Sequence, residues 1–404
     1  LEQTAAKCGK FISKLTLYLA QSGAMNILVI SNLYPPQVIG GYERSIADFA
    51  HQLQQRGHQV LVLTSDMPDY TTHTPQVSSV AVDRCLLLGG KWRQGQNPEW
   101  LPIDQLEAVD QQNLQVLAPK VSAFQPDICL AGNLDFFNVS IVNFLLDQQI
   151  PVVHYVMNAH PGYPAEISPH APHHRYLTCS NWIAETLRQT GYPAKTAVTL
   201  YPGAAVEAFY QANLPPRDRL RIAYASLVMP YKGADVLIEA LSLLNALGID
   251  FTATIAGGTL FPQFVESLKA FVVSEGMDDR VTFPGVLSRQ DLSQLYQTHN
   301  VLVFPSRFEE PFGISQVEAM AAGLTLITSG TGGAKEIIEH GKDGLLFESE
   351  NPLALADALT HLLKYPDAWA AIAQAGQQTA MTQFNHTRAV EQLEAVLWNL
   401  VQTR

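Results

Sequence analysis

Short apolar runs rich in β-branched residues alternate along this chain with segments of helical periodicity, and this alternation limits the fold more than any other feature. NILVIS (26–31), QVLVLTS (59–65), ICLAG (128–132), PVVHYVM (151–157) and RYLTCS (175–180) lack the strict alternation of a strand with one wet face. Such runs belong to strands covered on both sides, as in a parallel sheet flanked by its crossover helices. Between the first two, GYERSIADFAHQLQQRG (41–57) sets Ile46, Phe49, Ala50 and Leu53 on one face and stops at Gly57. That is an amphipathic helix with a glycine end.

After Pro202 and the breaker NLPPRD (213–218) the pattern restarts. RIAYASL (221–227), DFTATIAG (250–257), RVTFPGV (280–286), NVLVFPS (300–306) and LTLITS (324–329) read as strands, with helical segments at 233–248 and within 311–323. The tail from Pro352 is helical, broken near Tyr365-Pro366 and Phe384-Asn385. The chain has 404 residues, beyond the size at which a single core stops growing. The expectation is an α/β protein of two Rossmann-like domains with parallel sheets facing across a cleft. The expected divisions are an extension over 1–24, a first domain over 25–212, a second over 213–385, and a return of the last helix, about 386–404, to the first domain.

A formal net charge of −12 offers no basic field to displace counterions from phosphates and argues against a nucleic-acid partner. It lends no support to attachment at a membrane surface. Cys8, Cys85, Cys129 and Cys179 lie far apart without CxxC spacing, which suits a reducing, cytoplasmic setting and no structural zinc. FISKLTLYLA (11–20) is interrupted by Lys14 and too short for a membrane span.

In open parallel sheets ligands bind beyond the carboxyl ends of the strands, and three loops there carry chemistry. SNLYPPQVIGGYERS (31–45) ends in Gly40-Gly41 at a helix start, where bare backbone amides and the helix dipole favour an anion. Against this stands a glycine pair that merely serves a turn. SLVMPYKGADVLIEAL (226–241) places Lys232 where a helix opens. A cation is unfavourable at that end, so Lys232 is expected to meet an anion, and specifically a phosphate; the alternative is a solvated lysine. RFEEPFGISQVEAMAAG (307–323) brackets Pro-Phe-Gly with Glu310 and Glu318. Amides of Gly313 and Ile314 suit a phosphate, while the two carboxylates suit hydroxyls on either side of it. A helix cap does not explain Glu318, which lies a full turn beyond the start. A diphosphate with a sugar at each end fits this arrangement.

These stretches carry a resemblance. PPQVIGGYERSIADFAHQLQQRGHQVLVLTS, EPFGISQVEAMAAG with its Glu-x7-Glu pair, and GGAKEIIEHGKDGLLFE (332–348) together resemble glycosyltransferase family 4, retaining enzymes of the GT-B fold. The likeness runs from Met25 to about residue 400. It implies transfer of a sugar from a nucleotide-sugar donor to an acceptor hydroxyl with retained anomeric configuration, without a metal or other cofactor. By position it makes Glu310 a contact of the transferred sugar, Glu318 the holder of the ribose and Lys232 the counter-charge of the diphosphate. Phe312, Gly313 and Ile314 would bind sugar and phosphate through their backbone. Gly40 and Gly41 would approach the phosphates from the facing domain, and Val286 and Leu287 would receive the base.

Two departures from the family pattern stand out. Ala225-Ser226-Leu227 occupies the place of Gly-Arg-Leu, so Ser226 offers only a hydroxyl to the phosphates. Met157-Asn158 stands where the family has His-Asp, leaving His160 in NAHPGYP as the candidate catalytic substitute. The histidines of HYVMNAHPGYPAEISPHAPHHR (154–175) are without HExxH spacing or a nearby carboxylate pattern, so an acceptor-side loop is favoured over a zinc site. The competing functions are a nucleotide-sugar epimerase or hydrolase on the same fold, and a non-catalytic nucleotide-sugar binding protein.

Overall fold

A computed structural model describes residues 23–72, 79–92 and 98–403. All but the last two residues of the expected extension lie outside the described residues.

The first domain runs through β1 (Asn26–Ile30), α1 (Gly41–Gln55), β2 (Gln59–Ser65), β3 (Ala81–Leu86) and the hairpin β4 (Gly90–Lys91) and β5 (Glu99–Trp100). It continues with α2 (Ile103–Phe124), β6 (Ile128–Ala131), α3 (Ser140–Asp147), β7 (Val152–Val156), β8 (His174–Thr178), α4 (Asn181–Gln189) and β9 (Val198–Thr199). Its sheet has the order β3-β2-β1-β6-β7-β8-β9, with every pair parallel. β1 pairs Ile27 with Val60 on one side and with Ile128 on the other. Strand order therefore reverses beside β1, the position at which open parallel sheets place their ligand crevice.

A short helix, α5 (Val206–Phe209), leads into the second domain: β10 (Leu220–Ala225), α6 (Ala234–Ala246), β11 (Phe251–Ala256), α7 (Pro262–Ser274), β12 (Val281–Gly285) and α8 (Arg289–Thr298). Then follow β13 (Val301–Phe304), α9 (Ile314–Ala321), β14 (Thr325–Thr328), β15 (Leu345–Leu346), α10 (Pro352–Lys364), α11 (Pro366–Gln383) and α12 (His386–Gln402). The parallel order β12-β11-β10-β13-β14-β15 puts the second reversal between β10 and β13. All four residues of β13 and of β14 are buried, which is why they read as unbroken apolar runs.

The tail returns to the first domain. Asn385 caps α12 by accepting from Arg388 N at 2.8 Å. At the crossing, Ala204 N donates to Phe384 O at 2.7 Å and His386 N donates to Ala204 O at 3.1 Å, so the two interdomain strands of chain run side by side. α12 then packs on α1. Glu394 locks it there by accepting from Arg56 Nε at 2.7 Å and His58 Nε2 at 2.9 Å. His58 Nδ1 accepts from Met25 N at 3.1 Å, which leaves Nε2 as the proton-bearing nitrogen. Burial pushes the Glu394 carboxyl up, but the bonds from His58 and Arg56 outweigh it and hold the group below its ordinary range.

Candidate active site

The crevice of the second sheet is built by the loops that follow β10 and β13. The first closes with a 3-10 turn, Pro230–Lys232, and then Gly233 at φ 72° before α6 begins. A side chain at Gly233 would need that left-handed backbone and would put its Cβ 1.9 Å from Pro305 O. Only glycine lets the two loops meet so closely. They are stitched together by Arg307 N and Phe308 N, which donate to Tyr231 O at 2.9 and 3.1 Å. Arg307 also grips Asp235 with two bonds, at 2.8 and 2.7 Å.

This scaffold brings Lys232 Nζ to 2.5 Å from Glu310 Oε1, with both side chains largely buried. Ser306 Oγ donates to the same carboxylate oxygen at 2.7 Å. The ammonium sits 5.0 Å from the Phe308 ring centroid and 5.7 Å from that of Tyr231, so aromatic faces shield the pair on its outer side. The lysine at the helix start is paired with an anion of the protein itself, Glu310, where the sequence led to the expectation of a phosphate.

α9 begins at Ile314, with Gly313 at its N-cap in a left-handed conformation, φ 101°. Glu318 lies one turn along, buried. Burial pushes its carboxyl up to about 7, against the opposing pull of Arg289 and Arg44 and with a further upward push from Asp48. Arg289 Nη2 is 3.7 Å from Glu318 Oε1 and 3.8 Å from Asp48 Oδ2. The amino end of α9 therefore has an acid on either side, one neutralised by a lysine and one facing an arginine.

From the first domain, an ideal Cβ on Gly41 would stand 3.2 Å from Ile314 Cδ1. The start of α1 thus faces the start of α9 at van der Waals range, and two positive helix ends converge. The amide of Gly40 is already taken: Glu43 Oε2 accepts from Gly40 N at 3.0 Å and from Ile39 N at 3.3 Å. Of the glycine pair, only Gly41 is set against α9.

The interface behind the cleft is specific. Glu336 of the second domain accepts from Asn181 N at 2.9 Å and Trp182 N at 2.7 Å, capping α4 of the first. It also receives Asn181 Nδ2 at 2.8 Å and Tyr201 OH at 2.9 Å. The Phe312 ring is buried between Tyr201 and Phe384, with centroids 5.6 Å from each. Its side chain is core, leaving only its backbone to face a ligand. Gly333 N donates to Glu310 O at 2.7 Å, so the GGAKE segment both backs the Glu310 loop and anchors the other domain.

Among the remaining candidates, Ser226 ends the β10 strand run, with its amide on Ala256 O at 3.2 Å. Val286 is 76% exposed just after β12, and Leu287 beside it is half-buried. Ser226 and Val286 lie at the carboxyl ends of β10 and β12, the two strands on either side of β11. His160 is exposed on the loop after β7, where its Nδ1 accepts from Gly162 N at 3.3 Å. It lies within electrostatic reach of Asp135, whose carboxyl burial pushes up while His160 and Asn133 pull it down. Two other histidines of that span have structural partners: His154 Nδ1 is 3.0 Å from Tyr163 OH, and His173 Nε2 is 3.0 Å from Leu146 O.

Chemically, the arrangement sets two acids about the amino end of α9, each with a cation beside it, Lys232 for Glu310 and Arg289 for Glu318. The motif reading assigned no role to Arg289, Asp48, Arg44, Ser306 or Glu336. One available signal was Arg289 itself, a cation at the first position of α8, the same misplacement that pointed to Lys232.

Two family models match the chain: one described as Glycosyltransferase Family 4 over residues 39–208 and one described as Glycosyl transferases group 1 over 206–379. Among curated proteins, it is 26% identical over 241 residues to spore coat protein SA of Bacillus subtilis, covering 54% of this chain and 63% of that protein. It is 30% identical over 207 residues to the GDP-mannose-dependent alpha-(1-6)-phosphatidylinositol monomannoside mannosyltransferase of Mycobacterium tuberculosis, covering 48% of this chain and 53% of that one. The matches thus span between half and two thirds of these relatives. Among solved structures, a glycosyltransferase from Rickettsia africae superposes with a TM-score of 0.77 at 18% identity, over 95% of this chain and 100% of that one. Anabaena HepE in complex with UDP superposes with a TM-score of 0.73 at 21% identity, over 93% and 100%.

Proposed function

Because the chain belongs to glycosyltransferase family 4 and has the GT-B fold, we propose that it transfers a sugar from a nucleotide-sugar donor to an acceptor hydroxyl with retention of anomeric configuration. The observation that carries this reading is the pair of acids flanking the amino end of α9, with Lys232 bonded to one of them. A donor diphosphate lies against the start of α9, facing Gly41, with its charge balanced by Lys232 and the helix dipole. Glu318 accepts from the ribose hydroxyls, and Glu310 accepts from hydroxyls of the transferred sugar. Ser226 adds a hydroxyl to the phosphates, and the base rests by Val286 and Leu287. That a related fold is held in complexes with UDP and with UDP-glucose supports a nucleotide-sugar partner here.

In this mechanism Lys232 exchanges Glu310 for the phosphate. Its charge then stabilises the leaving nucleotide where negative charge develops in the transition state. The acceptor hydroxyl approaches from the first-domain side, near His160, on the face from which the nucleotide departs, and passes its proton to the leaving phosphate. No metal is required for this charge balance. Cleft closure about the paired crossings at 204 and 385 excludes water.

The test is a mass-spectrometric screen of the purified protein against UDP-, GDP- and ADP-sugars, with and without hydroxyl acceptors. A glycosylated acceptor of unchanged anomeric configuration supports the reading. Donor cleavage or epimerisation without an acceptor would replace it with the hydrolase or epimerase reading. Binding without any turnover would leave a nucleotide-sugar binding protein.

A further inference from the structure

Glu318 is a buried acid whose nearest cation is shared. Arg289, from α8 of the second domain, stands 3.7 Å from Glu318 and 3.8 Å from Asp48 of α1 in the first domain. Asp48 in turn lies 3.5 Å from Nε2 of His386, the first residue of α12. Four side chains from four helices thus form one line across the cleft, and it ends on the acid assigned to the donor ribose. Opening the cleft carries Asp48 away with α1 and breaks the line at Arg289.

We propose that Arg289 is a positioning residue that ties Glu318 to the first domain through Asp48, keeping the ribose carboxylate charged and aimed while the cleft is closed. The proposal rests on the donor-site reading given above. The charged and titratable groups around Glu318 are few. α8 presents Arg289 and Tyr296, whose hydroxyl is buried. α1 presents Arg44 and Asp48. His386 reaches Asp48 from α12, and Glu207 of α5 faces His386. α11, also packed on α9, has Asp367 as its one ionisable side chain, and β13 and β14 have none. Glu318 has its midpoint raised to about 7, so its ionisation near neutrality depends on how this set is balanced. Arg289 favours the charged form and Asp48 disfavours it.

The two partners therefore make opposite predictions, which a merely structural role would not. The carboxyl titration of Glu318 is followed by carbon-13 NMR in ligand-free protein labelled at glutamate, with Glu318→Gln identifying the signal. Arg289→Met moves the midpoint up by about one pH unit, the lower end of the effect of one neighbouring opposite charge. Asp48→Asn moves it down, and Arg289→Lys restores most of the wild-type value. Midpoints that stay put in both variants, or that move the same way, overturn the proposal. If Arg289→Met fails to fold, Asp48→Asn and Arg289→Lys still decide it. A UDP and GDP titration across the same pH range then separates the two claims. If the NMR midpoints shift as stated while nucleotide binding is absent or indifferent to pH and to Glu318→Gln, Arg289 keeps its role and the ribose assignment fails.

Discussion

Lys232 and Glu310 come from loops on either side of the strand reversal in the second sheet, yet they meet at 2.5 Å. In the ligand-free protein each is the other's counter-ion. A donor entering the site must separate them, giving the lysine a phosphate and leaving the acid with Ser306 and the sugar hydroxyls.

Glu310→Gln keeps the shape and a bond from Ser306 while removing the charge. It is expected to leave the circular dichroism spectrum unchanged and to cut turnover by about 100-fold or more, as when a transition-state contact is lost. Lys232→Ala is expected to weaken nucleoside diphosphate binding, measured by calorimetry. It also strands a buried carboxylate, a loss of about 3–5 kcal/mol. The double variant Lys232→Ala with Glu310→Ala should recover part of that stability in denaturant melts, the sign of a coupled pair.

Glu318 predicts a pH effect of opposite sense to most acids. Its folded-state midpoint is raised, from 4.5 to about 7. Its contribution is therefore fully present below the unfolded value and lost as pH rises through the folded one. Glu318→Gln should make the ligand-free protein more stable than wild type at about pH 8, by at most about 3 kcal/mol, and little different at about pH 4. Melting temperatures of the two proteins across this range check it, and a gap that grows towards acid would contradict it.

Glu394 gives the reverse sign. Its carboxyl is held low by His58 and Arg56 despite burial, so its stabilisation is present above the unfolded midpoint and lost as pH falls through the folded one. The difference in melting temperature between wild type and Glu394→Gln should be largest at about pH 7 and shrink below about pH 4.

Glu336→Ala removes the acceptor of the first two amides of α4 and the bond to Tyr201, leaving Ser180 as the helix's own cap. Hydrogen bonds to a charged group contribute about 1.5–3 kcal/mol each, so a fall in melting temperature is expected. The more telling readout is KM for donor, which should rise because the domains lose their fixed side. Unchanged stability and unchanged KM would reduce this contact to surface decoration.

Central strands were legible in the chain because burial on both faces leaves them almost wholly apolar: Val152–Val156 is buried throughout. The edge strand Ala81–Leu86 escaped, since all but Leu86 of its residues are exposed or half-buried and two are charged. It owes its conformation to pairing with Gln59–Ser65 more than to its own pattern. The site divides in the same way. Glu310, Glu318 and Lys232 sit in local motifs that announce a loop beside a helix start. Asp48 and Arg289 gain their meaning from proximity across the cleft, and nothing within ten residues of either signals the other. Glu336 lay inside a recognised motif, but its partners are in the other domain, so no local reading could assign it a task.

The return of α12 to the first domain has a consequence for biosynthesis. The outer layer over α1, with the socket formed by Arg56 and His58, stays unfilled until the entire second domain has been translated. The first domain therefore leaves the ribosome with an apolar flank awaiting its cover, and its final assembly is coupled to completion of its neighbour.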